Sequence, residues 1–181
     1  MRRRAIAAAF AAVCLAPVLA APGGASTPGR NGLIVFSESV RGRFHLFTVR
    51  PDGTGVRQIT RIRGADAYHP DWSPDGSWIV FELDRPGGPL FCSVAIVRAD
   101  GSGLRLLSHG RTCEGQPAFT PDGRRIVFVR YANQTDRGSL WSMNAAGGDR
   151  RRIAPQRALV ITDPNVSPDG SWITFVGVRR P

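Results

Sequence analysis

Three aspartates stand in identical three-residue segments, and their carboxylates are of a type that can serve as general acids, general bases or calcium ligands. The segments are Pro74-Asp75-Gly76, Pro121-Asp122-Gly123 and Pro168-Asp169-Gly170, and consecutive copies lie 47 residues apart both times. Proline presets a turn's first central residue, Asp bonds the local backbone, and Gly adopts a positive φ. The turn therefore explains the carboxylates, and copies a full repeat apart are too distant to share a proton or an ion.

The other groups that could do chemistry are dispersed. His45, His69 and His109 lie in three separate segments, and the Gly-x-Ser-x-Gly elbow that exposes a hydrolase nucleophile is absent from the sequence. Two thiols without a Cys-x-x-Cys pair do not indicate zinc. The sequence therefore predicts no catalysis, no cofactor and no metal.

The segments around each Pro-Asp-Gly turn are typical of β-strands. A run of β-branched and aromatic residues follows each turn, as in Trp78-Ile79-Val80-Phe81. A second turn signal, as in Asp52-Gly53-Thr54-Gly55, recurs between these hairpins after another strand-like run. One period thus holds four short strands, and a lone sheet of that size must stack on neighbours to bury both faces. We expect an all-β, propeller-like array of four-stranded antiparallel blades.

The repeat register gives about three and a half blades, whereas closed propellers have roughly four to eight. Residues 31–60 form a blade that lacks its first strand, and residues 61–108 and 109–154 form complete blades. Residues 155–181 supply the first two strands of another. The sequence therefore predicts a partial, open propeller.

One repeat position carries a polar residue in every copy. It is His69 in the first copy, Gln116 in the second and Asp163 in the third, each near the start of a blade's first strand. First strands line the central channel of a propeller, and concave sites with convergent polar groups bind ligands. We expect either a binding site at the channel mouth, with Tyr68 nearby, or polar groups that only satisfy the backbone at a blade junction.

Cys92 and Cys113 flank one connection between blades. The register places Cys92 at the start of a third strand and Cys113 in the approach to the next first strand. An oxidising compartment permits a bridge between them, although geometry decides whether it forms. The sequence favours a disulfide.

The amino terminus has the layout of a signal peptide. Arg2-Arg3-Arg4 precede an apolar run and a small-residue cleavage site, so residues 1–20 are predicted to be removed and residues 21–30 to form a flexible leader. The apolar run is too short to span a bilayer, which needs roughly 20 apolar residues. We therefore expect an exported chain, periplasmic or extracellular, with no transmembrane segment after cleavage.

The net charge is +10, and all 24 basic residues are Arg. Such a charge favours acidic partner surfaces. Nucleic acid is not expected, because no recognition motif accompanies the charge and export argues against it. The cluster Arg150-Arg151-Arg152 is predicted to lie at the solvated outer edge of a blade, where charge discourages edge-to-edge pairing.

Trp-Ser-Pro-Asp-Gly, Ile-Val-Phe and Asp-Gly-Ser-Gly-Leu-Arg-Leu-Leu-Ser, taken with the three in-phase turns, resemble the TolB-type β-propeller repeat, a WD40-like family of the bacterial envelope. The resemblance covers most of the chain after residue 31. It implies a propeller that binds protein partners in the periplasm, or one that gates an attached peptidase. There are fewer repeats than in the family's usual closed ring, and no segment matches a separate amino-terminal α/β domain.

We therefore expect a non-catalytic, exported scaffold for a protein, a peptide or another envelope ligand. Two alternatives stay open. In one, the chain is the amino-terminal part of a propeller that gates a serine peptidase or hydrolase. In the other, two copies pair through their open blade edges as a homodimer, closing a ring of about seven blades.

Overall fold

The computed structural model describes residues 32–87, 92–108, 112–132, 138–154 and 159–179. These residues form 13 β-strands. The strands are β1 (Ile34–Val40), β2 (Arg43–Val49), β3 (Arg57–Gln58), β4 (Asp66–Trp72), β5 (Trp78–Asp84), β6 (Cys92–Arg98), β7 (Arg105–Leu106), β8 (Cys113–Phe119), β9 (Arg125–Tyr131), β10 (Ser139–Asn144), β11 (Arg151–Ala154), β12 (Leu159–Val166) and β13 (Ile173–Arg179). The predicted signal peptide and leader, residues 1–30, lie outside these ranges.

Four antiparallel sheets follow one another along the chain. They contain β1–β3, β4–β7, β8–β11 and β12–β13, and within each sheet every strand pairs with the next one in sequence. The first sheet has three strands, the second and third have four, and the last has two. Each sheet packs on its sequence neighbour, and the described residues do not close a ring. The prediction of an all-β, incomplete propeller is confirmed.

Each Pro-Asp-Gly turn joins the first two strands of its sheet through the same hydrogen bonds. In the second sheet Ser73 Oγ donates to Asp75 Oδ1 at 2.5 Å, and the Ser77 amide donates to the same oxygen at 3.1 Å. The bonds from Ser73 and Ser77 lower the pKa of Asp75 to about 2, because they stabilise its charged form. Thr120 with Asp122 and Ser167 with Asp169 repeat the arrangement. The side-chain hydroxyl of the residue before each proline is thus part of the turn. The preferences of Pro, Asp and Gly for turn positions did not indicate this role.

Two clusters of buried apolar side chains lie between successive sheets of the described chain. Alternate residues of a strand face opposite sides of its sheet, so Ile79 and Phe81 of β5 pack towards the first sheet while Val80 packs towards the third. In the third sheet Ile126 and Phe128 complete the layer that contains Val80. All five side chains are fully buried. Stability therefore resides in the contacts between sheets, as in a repeat array.

Arg150, the first residue of the Arg150-Arg151-Arg152 cluster, does not lie where the sequence predicted. Arg151 and Arg152 are exposed on β11, as expected for an outer edge. Arg150 instead pairs with the buried carboxylate of Glu114, and its guanidinium lies 5.0 Å from the centroid of the Phe128 ring. The prediction of a solvated edge is wrong for Arg150, since a buried carboxylate needs a partner and strand order alone does not reveal one.

A glycine in the second turn type makes close contact between sheets, and this gives a testable difference. Gly101 and Gly53 both have positive φ, but an added Cβ at Gly101 would lie 2.6 Å from the Ile59 carbonyl oxygen of the preceding sheet. The same Cβ at Gly53 meets nothing within 4 Å. Both changes to Ala carry backbone strain of about 1 kcal/mol, so we expect Gly101→Ala to lower the free energy of unfolding by about 1–3 kcal/mol more than Gly53→Ala. Urea denaturation of both variants measures the difference, and equal losses would contradict the contact.

Candidate binding site at the channel mouth

The predicted polar column lies on three β-bulges. Each full first strand, β4, β8 and β12, has a register shift at the same repeat position. The bulged residues are His69, Gln116 and Asp163, with φ of 47°, 52° and 50°. A bulge leaves one residue unpaired in the ladder and turns its side chain and amide away from it. The recurring feature is therefore a left-handed bulge as well as a polar residue, and the sequence did not indicate the bulge.

The structure brings the three bulges together. β8 lies against both β4 and β12, so the first strands converge on the inner side of the arc. Gln116 Oε1 accepts a hydrogen bond from the Asp163 amide at 3.0 Å, and Nδ1 of His69 is 3.7 Å from Oδ1 of Asp163. Glu82 Oε2 accepts a bond from the Gln116 amide at 2.8 Å. Bulge amides in one sheet thus bond side chains from the preceding sheet, as expected for groups released from a ladder.

Both expected roles of the column have physical support. The amides of Gln116 and Asp163 are satisfied across sheet junctions, which is the purely structural role. The side chains of His69 and Asp163 are nevertheless exposed to solvent, so their polar atoms are accessible to a ligand. Tyr68 is half-buried beside them, and its ring centroid is 4.8 Å from that of Phe44. Burial, followed by the charge of Asp66, raises the pKa of the Tyr68 hydroxyl.

Two further carboxylates extend this site, and sequence reasoning missed them. Glu82 and Asp84 lie on one face at the end of β5, next to the bulge of β4. Burial raises the pKa of Glu82. Burial, followed by the neighbouring charge of Glu82, raises the pKa of Asp84 to about 7. The sequence does contain Glu82 and Asp84 two residues apart, and alternate side chains of a strand lie on the same side of its sheet.

The donor atoms of Glu82, Asp84 and Cys92 lie within 4.8 Å of one another. The sulfur of Cys92 is bonded to that of Cys113, so it is not a thiolate donor. Two carboxylates remain, which is fewer than the four ligands of a structural zinc site or the six to eight oxygens that calcium takes. Glu82 and Asp84 hydrogen-bond each other, so the cluster is better described as a pair of carboxyl groups that share a proton than as a metal site.

The raised pKa of Asp84 makes stability depend on pH. A carboxyl group whose pKa is higher in the folded state stabilises the fold at low pH, and this contribution is lost as pH rises through about 7. Glu82, Asp66 and His69 are the charged or titratable groups around it. Because Asp84 is partly exposed, we expect the loss between about pH 5 and pH 8 to be only about 1–2 kcal/mol. Asp84→Asn should reduce this loss, as measured by urea denaturation at both pH values, and an unchanged pH dependence would contradict the assignment.

The structure joins the two cysteines of the described chain. A disulfide links Cys92 at the start of β6 to Cys113 at the start of β8, with the Cα atoms 4.7 Å apart. The bridge connects the second and third sheets at the same end as the Glu82 to Gln116 bond. It therefore holds together the junction on which the channel-mouth column lies.

Sheets that pack on their sequence neighbours, with first strands converging on the inner side, define an incomplete β-propeller. The chain is 33% identical over 146 residues to a TolB homolog of Chlorobium chlorochromatii. It superposes on the solved structure of a putative TolB from Agrobacterium tumefaciens with a TM-score of 0.69 and 25% identity. Its repeats belong to the TolB-type β-propeller repeat family.

The matches cover most of this chain but only part of each relative. They span 81% of this chain and 31% of the Chlorobium protein, and 81% of this chain and 50% of the Agrobacterium structure. A puromycin hydrolase superposes with a TM-score of 0.61 and 22% identity over 84% of this chain and 26% of its own, which shows a shared fold alone. No family model matches the chain.

Within the ranges that the structure describes, no helix has the length and apolar character needed to cross a membrane.

Proposed function

We propose that the chain is a non-catalytic, exported propeller scaffold that binds a protein, a peptide or another ligand of the cell envelope at its channel mouth. The observation that carries this proposal is the convergence of His69, Gln116 and Asp163 on three aligned bulges, with accessible side chains on the first and the last. A concave site with a few convergent polar groups is the usual form of a binding site. Relatives named for the Tol-Pal system point to the envelope.

The chemistry of the site favours a positively charged or hydrogen-bond-donating group. Asp163, Glu82 and Asp84 place carboxyl oxygens around Tyr68 and His69, whereas Asp66 is already paired with Arg43 at 2.9 Å and the chain as a whole carries +10. A Lys or Arg side chain of a peptide would find acceptors here, with the Tyr68 ring beside it for a cation–π contact.

Export to the periplasm or beyond forms part of the same proposal. The layout of residues 1–20 supports it, and so does the bridge between Cys92 and Cys113, because disulfides persist in oxidising compartments. Deletion of the predicted signal peptide should leave the protein in the cytoplasm with Cys92 and Cys113 reduced.

Site-specific cross-linking in intact cells that express the protein tests the binding role. A photo-reactive phenylalanine analogue at Tyr68 should form an adduct with an envelope protein, because the ring lies beside the accessible column. The matched control places the analogue at Val56, which is exposed before β3 on the outer side of the first sheet. Adducts at position 68 that are absent at position 56 support the proposal, and equal or absent adducts at both positions contradict it.

The hydrolase alternative has one observation in its favour. The puromycin hydrolase shares the fold of this chain over about a quarter of its own length. Under this alternative the repeats would gate a catalytic domain that lies outside residues 1–181. A coding sequence that runs on from residue 181 into further Pro-Asp-Gly repeats and a Gly-x-Ser-x-Gly elbow would favour it over a binding scaffold.

A further inference from the structure

We propose that a cleft between the second and third sheets binds a peptide segment that carries an apolar side chain close to a carboxylate. The cleft lies at the Pro-Asp-Gly turns, and β5 runs from Trp78 beside it to Asp84 at the channel mouth. The two sites are thus at opposite ends of the sheets, and this inference is independent of what the channel mouth binds. The cleft has a volume of about 370 Å³, within the usual range of ligand pockets. We call it the turn-side cleft.

The turn-side cleft is closed at both ends by contacts between the two sheets. At its inner end the turns meet, since a Cβ added to Gly123 would lie 3.5 Å from Cδ of Pro74. At its outer end Nη2 of Arg105 donates a long hydrogen bond of 3.4 Å to the Ala145 carbonyl oxygen. The cavity is therefore bounded on all sides except the one that opens at the turns.

Apolar side chains form the floor and one wall of the turn-side cleft. Ile96 and Phe119 are buried in the layer between the second and third sheets, and Trp78 packs against the same layer. In the third sheet the repeat position of Trp78 is held by Arg125, which pairs with Asp149 at 2.7 Å. The aromatic wall is therefore not a feature of every junction, and an apolar group is needed to fill the cleft that has it.

Two guanidinium groups give the outer half of the turn-side cleft a positive charge. Cζ of Arg98 is 4.9 Å and Cζ of Arg105 is 5.5 Å from the centroid of the Trp78 ring, so cation–π contacts hold both beside the wall. A guanidinium carries five N–H donors, and the long bond to Ala145 engages one of those of Arg105. Donors held in this way are preorganised for a carboxylate, which Arg can bind with two parallel hydrogen bonds.

The two acids at the inner half of the cleft determine how such a ligand is oriented. The amide and hydroxyl of Ser77 donate to the two oxygens of Asp75, and the Thr120 hydroxyl donates to Asp122. These bonds belong to the turns and, with those of neighbouring turn residues, lower the pKa of both acids, so both are charged. A ligand carboxylate is therefore repelled from the inner half and lies beside Arg105 at the outer end.

A peptide segment is the occupant that the size and charge of the turn-side cleft favour. The cavity has room for a large apolar side chain but not for a folded surface. An apolar anchor in a pocket with a charged rim is a usual form of an interaction hot spot. The net charge of +10 also attracts an acidic segment to the protein.

Selection of random peptides tests this inference on the oxidised protein. Phage-displayed peptides that bind it should be enriched in an apolar residue close to an acidic one, and their affinities are measured by fluorescence anisotropy of synthetic copies. Arg105→Gln removes the carboxylate donor and should weaken this binding by about tenfold or more. The matched control is Arg57→Gln. Arg57 holds the same repeat position in the first sheet and likewise donates to the following sheet, to the Asp100 carbonyl oxygen at 2.8 Å.

Two variants of a selected peptide separate its apolar part from its charged part. Replacing the apolar residue by alanine, or the acid by its amide, should each weaken binding to the parent protein, and the amide should cause no further loss in Arg105→Gln. Circular dichroism establishes that both protein variants fold. Equal affinity for Arg105→Gln and Arg57→Gln, or an N-acetylated amino acid that binds as tightly as the peptide, would overturn the inference. So would the selection of basic peptides only, although that result would support the proposed site at the channel mouth.

Discussion

Phe128→Ala should lower the free energy of unfolding by about 3–5 kcal/mol, whereas the same change at Phe175 should cost less than half as much. The two residues occupy one repeat position. Phe128 is fully buried between the second and third sheets beneath the Arg150 guanidinium, and Phe175 is 41% exposed. A buried ring that is removed leaves a cavity, but a half-exposed ring is replaced by water. Urea denaturation followed by tryptophan fluorescence measures both losses.

Phe128→Leu provides a milder test of the same layer. It keeps an apolar side chain of similar volume, so we expect a loss of about 1–1.5 kcal/mol and a folded protein with which Phe128→Ala can be compared. A loss at Phe175 as large as that at Phe128 would contradict the difference in burial between these two repeat positions.

Removal of the disulfide should lower the free energy of unfolding by about 3 kcal/mol, the value that chain entropy gives for a loop of this size. Cys92 and Cys113 are 21 residues apart, and their bridge joins two sheets rather than two strands of one sheet. The double variant Cys92→Ala with Cys113→Ala should therefore unfold at lower urea than the oxidised protein. The physical reason is that an unbridged chain has more conformations to lose on folding.

Chemical reduction supplies the control for this prediction. The parent protein treated with a phosphine reductant should unfold near the double variant, and the double variant itself should be unaffected by the reductant. A parent protein whose unfolding midpoint does not change on reduction would contradict a stabilising bridge. We further expect reduction to loosen the junction at Gln116, because the bridge and the Glu82 bond lie at the same end of the second and third sheets.

The sequence by itself determined the parts of the structure that depend on local chemistry. The three Pro-Asp-Gly turns and the runs after them predicted the hairpins that contain Asp75, Asp122 and Asp169, because a tight turn is specified by its own residues. Their even spacing predicted a stacked array, since identical sheets cover each other's apolar faces. The same register aligned His69, Gln116 and Asp163 without showing what they contact.

The tertiary structure alone decided the contacts between sheets. Residues such as Glu82 and Gln116, or Arg150 and Glu114, are more than thirty positions apart and meet only when two sheets pack. The left-handed bulge at His69 and the exposure of Val176 likewise depend on which neighbour is present. Local patterns describe one sheet at a time, whereas the free energy of a polar or apolar side chain is set by the sheet that lies against it.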